Sequence, residues 1–276
     1  MKFIGLDQLI DQFLIEDMPY MDMTTDLLGL IQETTAIATA KADGVIAGLE
    51  VFKAVFQRVN PKVQVDFLVE EGAHVQKGTD IIQVTGSAAD LLKAERLALN
   101  LLQRISGIAS QAATYAEAVA GLPVKIVDTR KTTPGLRQFE KYAVRIGGCY
   151  NHRYSLSDAV MIKDNHIQAA GGITNAVKVI AGQLGHATKI EVEVQSQEEM
   201  MEAIEAGADI VMLDNMSCAD MKAAVEKAAG QVILEASGGV TLDTVREIAE
   251  TGVDVISVGA LTHSVMALDI SLNIRL

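Results

Sequence analysis

The sequence predicts an α/β protein in which a mixed α+β first third is followed by a TIM-like barrel that stops short of eight strands. Three observations lead there. After Gly121, short β-branched runs alternate with amphipathic helical stretches, and the runs fall at 124–127, 159–162, 190–194, 210–213, 232–234 and 253–258. From Glu193 to Asp214 to Glu235 to Ser257 the recurrence is about twenty residues, the length of one βα unit in a parallel sheet or barrel. The predicted strands also end in phase on polar or charged residues or glycine, and in a βα barrel such ends converge on one face.

Ahead of the barrel, apolar residues at helical spacing (Leu6, Leu9, Ile10, Phe13, Leu14) predict an amphipathic helix over 6–14. A loop is expected over 22–26. Residues 35–41 alternate as a strand, Asp43-Gly44 is a turn signal, and 45–48 read as the returning strand of a hairpin. A helix is expected over 49–58, a strand over 63–69, and a chain of short strands turning at Gly72, Gly78 and Gly86. The glycine rhythm there is also similar to biotinyl- and lipoyl-carrier turns, with Lys77 at the attachment position. No Met-Lys-Met setting surrounds Lys77, so it reads as a turn residue. The stretch 88–121 is helical, with Gly107 marking a break between two helices. Arg96, Asn100 and Arg104 fall on one polar stripe of it, whose plain reading is a solvated face. Within the barrel, helices are expected over 197–206, 218–229 and 242–251.

With 276 residues and 49% hydrophobic content, the chain can bury the core of one large domain or two modest ones. No apolar stretch approaches the roughly 18 residues of a membrane span. The start, MKFIGLDQLIDQFLIEDM, carries acids through its apolar positions and reads as neither signal peptide nor anchor. Cys149 and Cys218 form neither a disulfide framework nor a CxxC pair, so a cytoplasmic protein is expected. A net charge of −13 argues against nucleic acid and against anionic membranes as partners.

Against that background, 128–166 concentrates seven Lys/Arg residues: Arg130, Lys131, Arg137, Lys141, Arg145, Arg153 and Lys163. A local basic patch on an acidic chain suggests a small, enclosed anion. Placed on the barrel, Arg130-Lys131 and Lys163 sit at strand ends and His152-Arg153 on the loop between. Lys141 and Arg145 read as ordinary helix-surface charges. Other strand ends carry Asp128, Glu191, Glu193, Asp214, Glu235 with Ser237, and Gly259. For any one of these, a loop charge facing water is an equal reading; their common phase favours a site. The turns at 236–239 and 257–260 lie where barrel enzymes bind phosphate on backbone N–H groups, although left-handed turns explain a Gly-Gly pair equally well. There is no GxxxxGK[ST] loop, so a P-loop nucleotidase is excluded.

At DTRKTTPGLR, GGCYNHR and MIKDNHI, supported by EVEV, MLDN, EASGG and SVGALTHS, the sequence closely resembles the quinolinate phosphoribosyltransferases, from EDMPYMDMTTD near the start to ALDISLNI at the end. The resemblance implies an N-terminal α/β sandwich domain (1–108, joined by 270–276) and an incomplete, six- to seven-stranded TIM-like α/β barrel (109–269). It implies transfer of phosphoribose from phosphoribosyl pyrophosphate to quinolinate, releasing pyrophosphate and carbon dioxide and giving nicotinate mononucleotide for NAD biosynthesis. Arg130, Lys131, His152, Arg153 and Lys163 then look like ligands for the quinolinate carboxylates and pyrophosphate. Glu193 and Asp214 look like the acids for the ribose hydroxyls and Mg²⁺, and with Lys131 and Lys163 form the implied catalytic set. Ser237, Gly238, Gly239 and Gly259 resemble the 5′-phosphate cradle. Arg96, in ERLALN, resembles an arginine donated across a homodimer in which one chain's sandwich domain covers the partner's barrel mouth. Cys149 departs from the family's usual third glycine in GGGxNHR. The residue types suit the chemistry, since two polyanionic substrates call for Arg forks, Lys charges and Mg²⁺. A paralogue acting on another acid, and a non-catalytic anion-binding protein, are the alternatives; the intact IKDNH segment speaks against the former.

Overall fold

A computed structural model of the chain describes residues 3–275; positions 1, 2 and 276, which the sequence assigns to the first domain, lie outside the described residues. In chain order the elements begin with α1 (Leu6–Asp17), α2 (Met23–Leu28), β1 (Glu33–Ala40), β2 (Gly44–Val45) and α3 (Leu49–Val59). Next come β3 (Gln64–Phe67), β4 (His74–Val75), β5 (Asp80–Ser87) and α4 (Ala88–Ala118). Then follow β6 (Lys125–Val127), α5 (Arg137–Ile146), β7 (Val160–Ile162), α6 (Asp164–Ala170), α7 (Ile173–Ala181), β8 (Ile190–Val194), α8 (Gln197–Ala206), β9 (Ile210–Asp214), α9 (Cys218–Ala228), β10 (Ile233–Ser237), α10 (Val245–Ala249), β11 (Val255–Ser257) and α11 (Ala260–His263), and β12 (Ile270–Arg275) ends the chain. No helix among the described residues is long and apolar enough to cross a membrane.

By contacts the chain forms two units: one runs to Ala112 and includes Gln138–Gly147 and the segment from Val265 on, and the other holds Ala113–Arg137 and Gly148–Ser264. The first unit is built on a four-stranded antiparallel sheet in the order β12-β1-β5-β3, with β12 paired to β1 from Thr35↔Arg275 to Ala40↔Ile270. Helix α3 buries Val51, Phe52, Val55 and Phe56, the i, i+1, i+4, i+5 stripe of an amphipathic helix. Its first N–H groups, at Gly48 and Leu49, donate to the Glu71 carboxylate at 2.6 and 3.0 Å.

Several expectations for this unit are corrected. The loop over 22–26 is instead the start of α2, because the Asp22 carboxylate accepts from Thr24 and Thr25 N–H, both at 3.0 Å, and caps a helix. β2 does not return along β1; it pairs with β4, while Val45 and Ala47 donate to Ser110 and Ser106 Oγ at 2.8 and 3.0 Å. Gly107 breaks nothing, since α4 runs through it. A Cβ there would stand 2.2 Å from Met266 O and 3.1 Å from Ala267 Cα, so this glycine permits a close backbone approach. Arg104, read as part of a solvated stripe, ion-pairs the fully buried Glu140 at 2.8 Å. Lys141, read as a surface charge, is also fully buried, whereas Arg145 is exposed as expected.

The second unit is a six-stranded parallel sheet in the order β6-β11-β10-β9-β8-β7, an incomplete TIM-like α/β barrel open between the successive strands β6 and β7. Residues 150–153 line that opening: Tyr150 N donates to Ile126 O at 2.8 Å, Asp128 N to Tyr150 O at 3.1 Å, and Arg153 Nη1 to Ala159 O at 2.9 Å. Val192, Val211, Leu213, Leu234, Ala236 and Ile256 form the buried strand core.

Gly107→Ala tests the close approach. Overpacking at a backbone contact costs about 1–3 kcal/mol, more than the roughly 1 kcal/mol that alanine gains in a helix interior. Urea unfolding is therefore expected to show net destabilisation; a variant more stable than the wild type would show that the contact relaxes freely.

Candidate active site

The strand ends of the second unit surround a pocket of about 370 Å³. The parallel register builds its wall. Ile162 opposite Val192 brings Lys163 beside Glu193, and Ser237 lies opposite Asp214. Each side chain follows the last apolar residues of its strand, so the core anchors the backbone while the polar end faces the opening.

On the β6 side, Asp128 is fully buried and accepts from Asn151 Nδ2 at 2.7 Å and His152 N at 2.9 Å, tying the 151–153 loop to the strand end. The loop then delivers His152 and Arg153 to the pocket, joining Arg130 and Lys131. Arg130 Nε is buried without a hydrogen-bond partner. Burial and the neighbouring Arg130 charge lower the Arg153 pKa, as expected where two guanidinium groups face the same space. Lys163 Nζ ion-pairs Glu193, and its backbone N–H donates to His166 Nδ1 at 3.0 Å, fixing the turn into α6.

Beneath these groups lies a buried cluster. His152 Nε2 is 3.1 Å from Glu191 Oε2 and 3.5 Å from Glu235 Oε2, and the two glutamates are only 2% and 3% exposed. Burial pulls the His152 pKa down, but its hydrogen bonds to Glu191 and Glu235 outweigh that and raise it to about 10. His152 Nδ1 lies 2.8 Å from the Arg153 backbone N, on the side of the ring turned away from the carboxylates, so Nε2 is the nitrogen that meets Glu191 and Glu235. Burial pushes Glu191 up, against the hydrogen bond from His152. Both glutamates keep a buried Oε1 without a partner. Unmet buried polar atoms cost about 1–3 kcal/mol each and call for a ligand or water.

Of the residues expected at the site, Arg130, Lys131, His152, Arg153, Lys163, Glu193, Asp214 and Ser237 line this one pocket. Gly259 packs on Lys131, with a Cβ there standing 3.3 Å from Lys131 Cδ. Gly239 has open space where a Cβ would go, and Gly238 lies against Asn215. Arg96 is exposed on α4 in the first unit and is not among the pocket's lining residues. The sequence puts Glu191 and Glu235 at strand ends without assigning them a role. Their signal was the two-residue parity of Glu191 with Glu193, which puts both side chains on one face of β8. Glu235, Thr129, Met161, Met212 and Ser257 complete the lining.

Two groups of side chains could hold a metal ion. Glu193 and Asp214 offer carboxylates at adjacent strand ends. The ligand atoms of His152, Glu191 and Glu235 lie within 4.8 Å of one another, but His152 Nε2 already occupies one oxygen of each glutamate.

Residues 22–106 match the family described as quinolinate phosphoribosyl transferase, N-terminal domain, and residues 108–273 match quinolinate phosphoribosyl transferase, C-terminal domain. The chain is 42% identical over 276 residues to the probable nicotinate-nucleotide pyrophosphorylase (carboxylating) of Bacillus subtilis, covering 100% of this chain and 96% of that protein. Identity to the human nicotinate-nucleotide pyrophosphorylase (carboxylating) is also 42% over 276 residues, covering 98% of this chain and 92% of the human protein. The crystal structure of NadC from Streptococcus pyogenes superposes with a TM-score of 0.95 at 39% identity, over 100% of this chain and 99% of that one. The chain belongs to the quinolinate phosphoribosyl transferase family.

Proposed function

We propose that the pocket transfers phosphoribose from phosphoribosyl pyrophosphate to quinolinate with decarboxylation, giving nicotinate mononucleotide, pyrophosphate and carbon dioxide in de novo NAD biosynthesis. One observation carries this reading. In a chain of net charge −13, Arg130, Lys131, Arg153 and Lys163 line a single pocket together with Glu193 and Asp214, which suits two polyanions, one of them carrying a sugar.

The quinolinate nitrogen bonds to ribose C1 as the C1–O bond to pyrophosphate breaks, and that electron pair leaves with pyrophosphate. The ring nitrogen, now cationic, draws in the pair from the C2–carboxylate bond as carbon dioxide departs, and C2 then takes a proton. Arg130 and Arg153 receive the quinolinate carboxylates, their planar forks matching carboxylate geometry. The unmet Arg130 Nε supports this use. Lys131 and Lys163 take charge developing on the leaving group, in a preorganised site where each charge counts for more than in water. His152 is held by Glu191 and Glu235, which fixes the loop that carries Arg153. Glu193 and Asp214 accept from the ribose hydroxyls, and Ser237 with the turns at Gly239 and Gly259 receives the 5′-phosphate.

Glu193 and Asp214 would also hold Mg²⁺. The donor set fits a hard cation that takes one or two carboxylates, and among the described residues the Asp214 carboxylate has the Asn215 amide as its sole hydrogen-bond partner. When bound, the ion supplies charge neutralisation to the pyrophosphate group. The active form is a homodimer to which the partner chain contributes Arg96. Support comes from the exposure of Arg96 and from the exposed apolar residues Tyr20, Met23, Leu27, Leu28 and Ile31 in the first unit. Two free cysteines suit a cytoplasmic setting.

Pyrophosphate and carbon dioxide release should occur with quinolinate but not with nicotinate or nicotinamide as acceptor; equal turnover of all three would overturn the substrate assignment. Lys163→Ala and Arg130→Ala should each cut kcat/KM by about a hundredfold or more while circular dichroism stays native, and wild-type rates in both would sink the site assignment. Chelation with EDTA should stop turnover and excess Mg²⁺ restore it. Arg96→Ala and Lys163→Ala, each inactive alone, should regain about a quarter of wild-type activity once subunits exchange, because each mixed dimer carries one intact site. A mixture that stays inactive after verified exchange would argue against a shared site.

A further inference from the structure

We infer that Asn215 is the positioning residue of Asp214, and that Gly238 is the seat of Asn215. The inference rests on the role proposed for Asp214 in binding phosphoribosyl pyrophosphate and Mg²⁺. β9 and β10 end level, with Asp214 opposite Ser237. Just beyond, Asn215 N–H donates to Ser237 O at 2.9 Å, so the ladder continues for one more bond. There the chain takes an unusual conformation. Asn215 has φ 55°, and among the described residues only Ala229 shares a positive φ without being glycine.

That left-handed turn, which Asn tolerates better than most residues, folds the side chain back along the strand end. Nδ2 donates to Asp214 Oδ2 at 2.8 Å. No other donor reaches the Asp214 side chain among the described residues, so this amide alone restrains a carboxylate that lines the pocket. The opposite face of the amide rests on Gly238. A Cβ at Gly238 would stand 2.2 Å from Asn215 Oδ1, 2.6 Å from its Cγ and 2.9 Å from its N. Any side chain at Gly238 would push the amide off Asp214. Gly238 itself has φ 100°, a second reason for glycine. The open space at Gly239 contrasts with this, since no atom lies within 4 Å of a Cβ there. The first glycine of ASGG therefore supports the acid on the neighbouring strand through Asn215.

Asn215→Gly keeps the left-handed backbone at no steric cost and removes only the amide. Its KM for phosphoribosyl pyrophosphate, and the Mg²⁺ concentration for half-maximal rate, should rise about tenfold or more, the effect of losing one hydrogen bond to a charged group. KM for quinolinate and the melting temperature should stay near wild type. Asn215→Asp, which also tolerates the turn but sets a second carboxylate against the first, should be worse than Asn215→Gly. The double variant Asp214→Ala/Asn215→Gly should match Asp214→Ala, because Asn215 acts only through Asp214. Wild-type constants in Asn215→Gly beside a crippled Asp214→Ala would overturn the positioning role alone. Wild-type constants in Asp214→Ala would overturn both the positioning role and the reading of the pocket, since nothing would be gained by orienting an idle carboxylate.

Discussion

The parallel register of β7 to β10 is the constraint on which the site depends. Ile162 faces Val192, Val194 faces Leu213 and Ala236 faces Leu213 across adjacent strands. Side chains alternate faces along a strand, so a slip of one residue would send Glu191 and Glu193 to the helix side and bring Val192 inward. The apolar residues of β8, and Val211, Met212 and Leu213 of β9, are buried, which makes such a slip costly. Core packing and site geometry are thus specified by the same pattern, and the charged strand ends need no separate device to bring them together.

Within that frame the electrostatics run against the grain of the chain. Placing Arg130, Arg153 and Lys163 in one pocket of an acidic protein brings like charges together; burial first, and the Arg130 charge second, lower the Arg153 pKa. Part of it is relieved internally, since Glu193 pairs with Lys163 and the Glu191–His152–Glu235 cluster lies below Arg153. Part is left unmet, as at Arg130 Nε. Removing either glutamate of the buried cluster would leave the other facing His152 with changed charge, which is why buried polar clusters are tolerated only when complete. Unmet buried polar atoms at Arg130, Glu191 and Glu235, gathered around one pocket, are the pattern of a site kept for function at some expense in stability.

The sequence disclosed what local pattern can disclose. The bounds of α8 were readable because Ser196 caps one end, donating no ambiguity about where the apolar period starts, and Gly207 closes the other in a left-handed turn. The strand ends at Lys163, Glu193 and Asp214 were readable because each follows a run of apolar residues. Lys141 was not, since a lysine on an amphipathic helix is normally solvated and nothing local reports its burial. Nor was the pairing of His152 with Glu191 and Glu235, which joins a loop to two strands far along the chain. The α2 helix was missed for a different reason: six residues lie below the length at which periodicity speaks, and its one signal was the cap at Asp22.

Glycine shows most sharply why sequence reasoning stops where it does. Gly107 and Gly238 each fitted an ordinary local explanation, a helix break in one case and a phosphate turn in the other. In the structure both are positions where another group comes too close for a Cβ, Met266 O at the first and the Asn215 amide at the second. The approaching atoms belong to residues distant in sequence, so no window around either glycine contains the cause. The same letter therefore marks tertiary contact as well as local conformation. At Gly238 the approaching group is the amide whose Nδ2 donates to Asp214, so the absence of a side chain there leaves room for a contact that reaches the pocket wall.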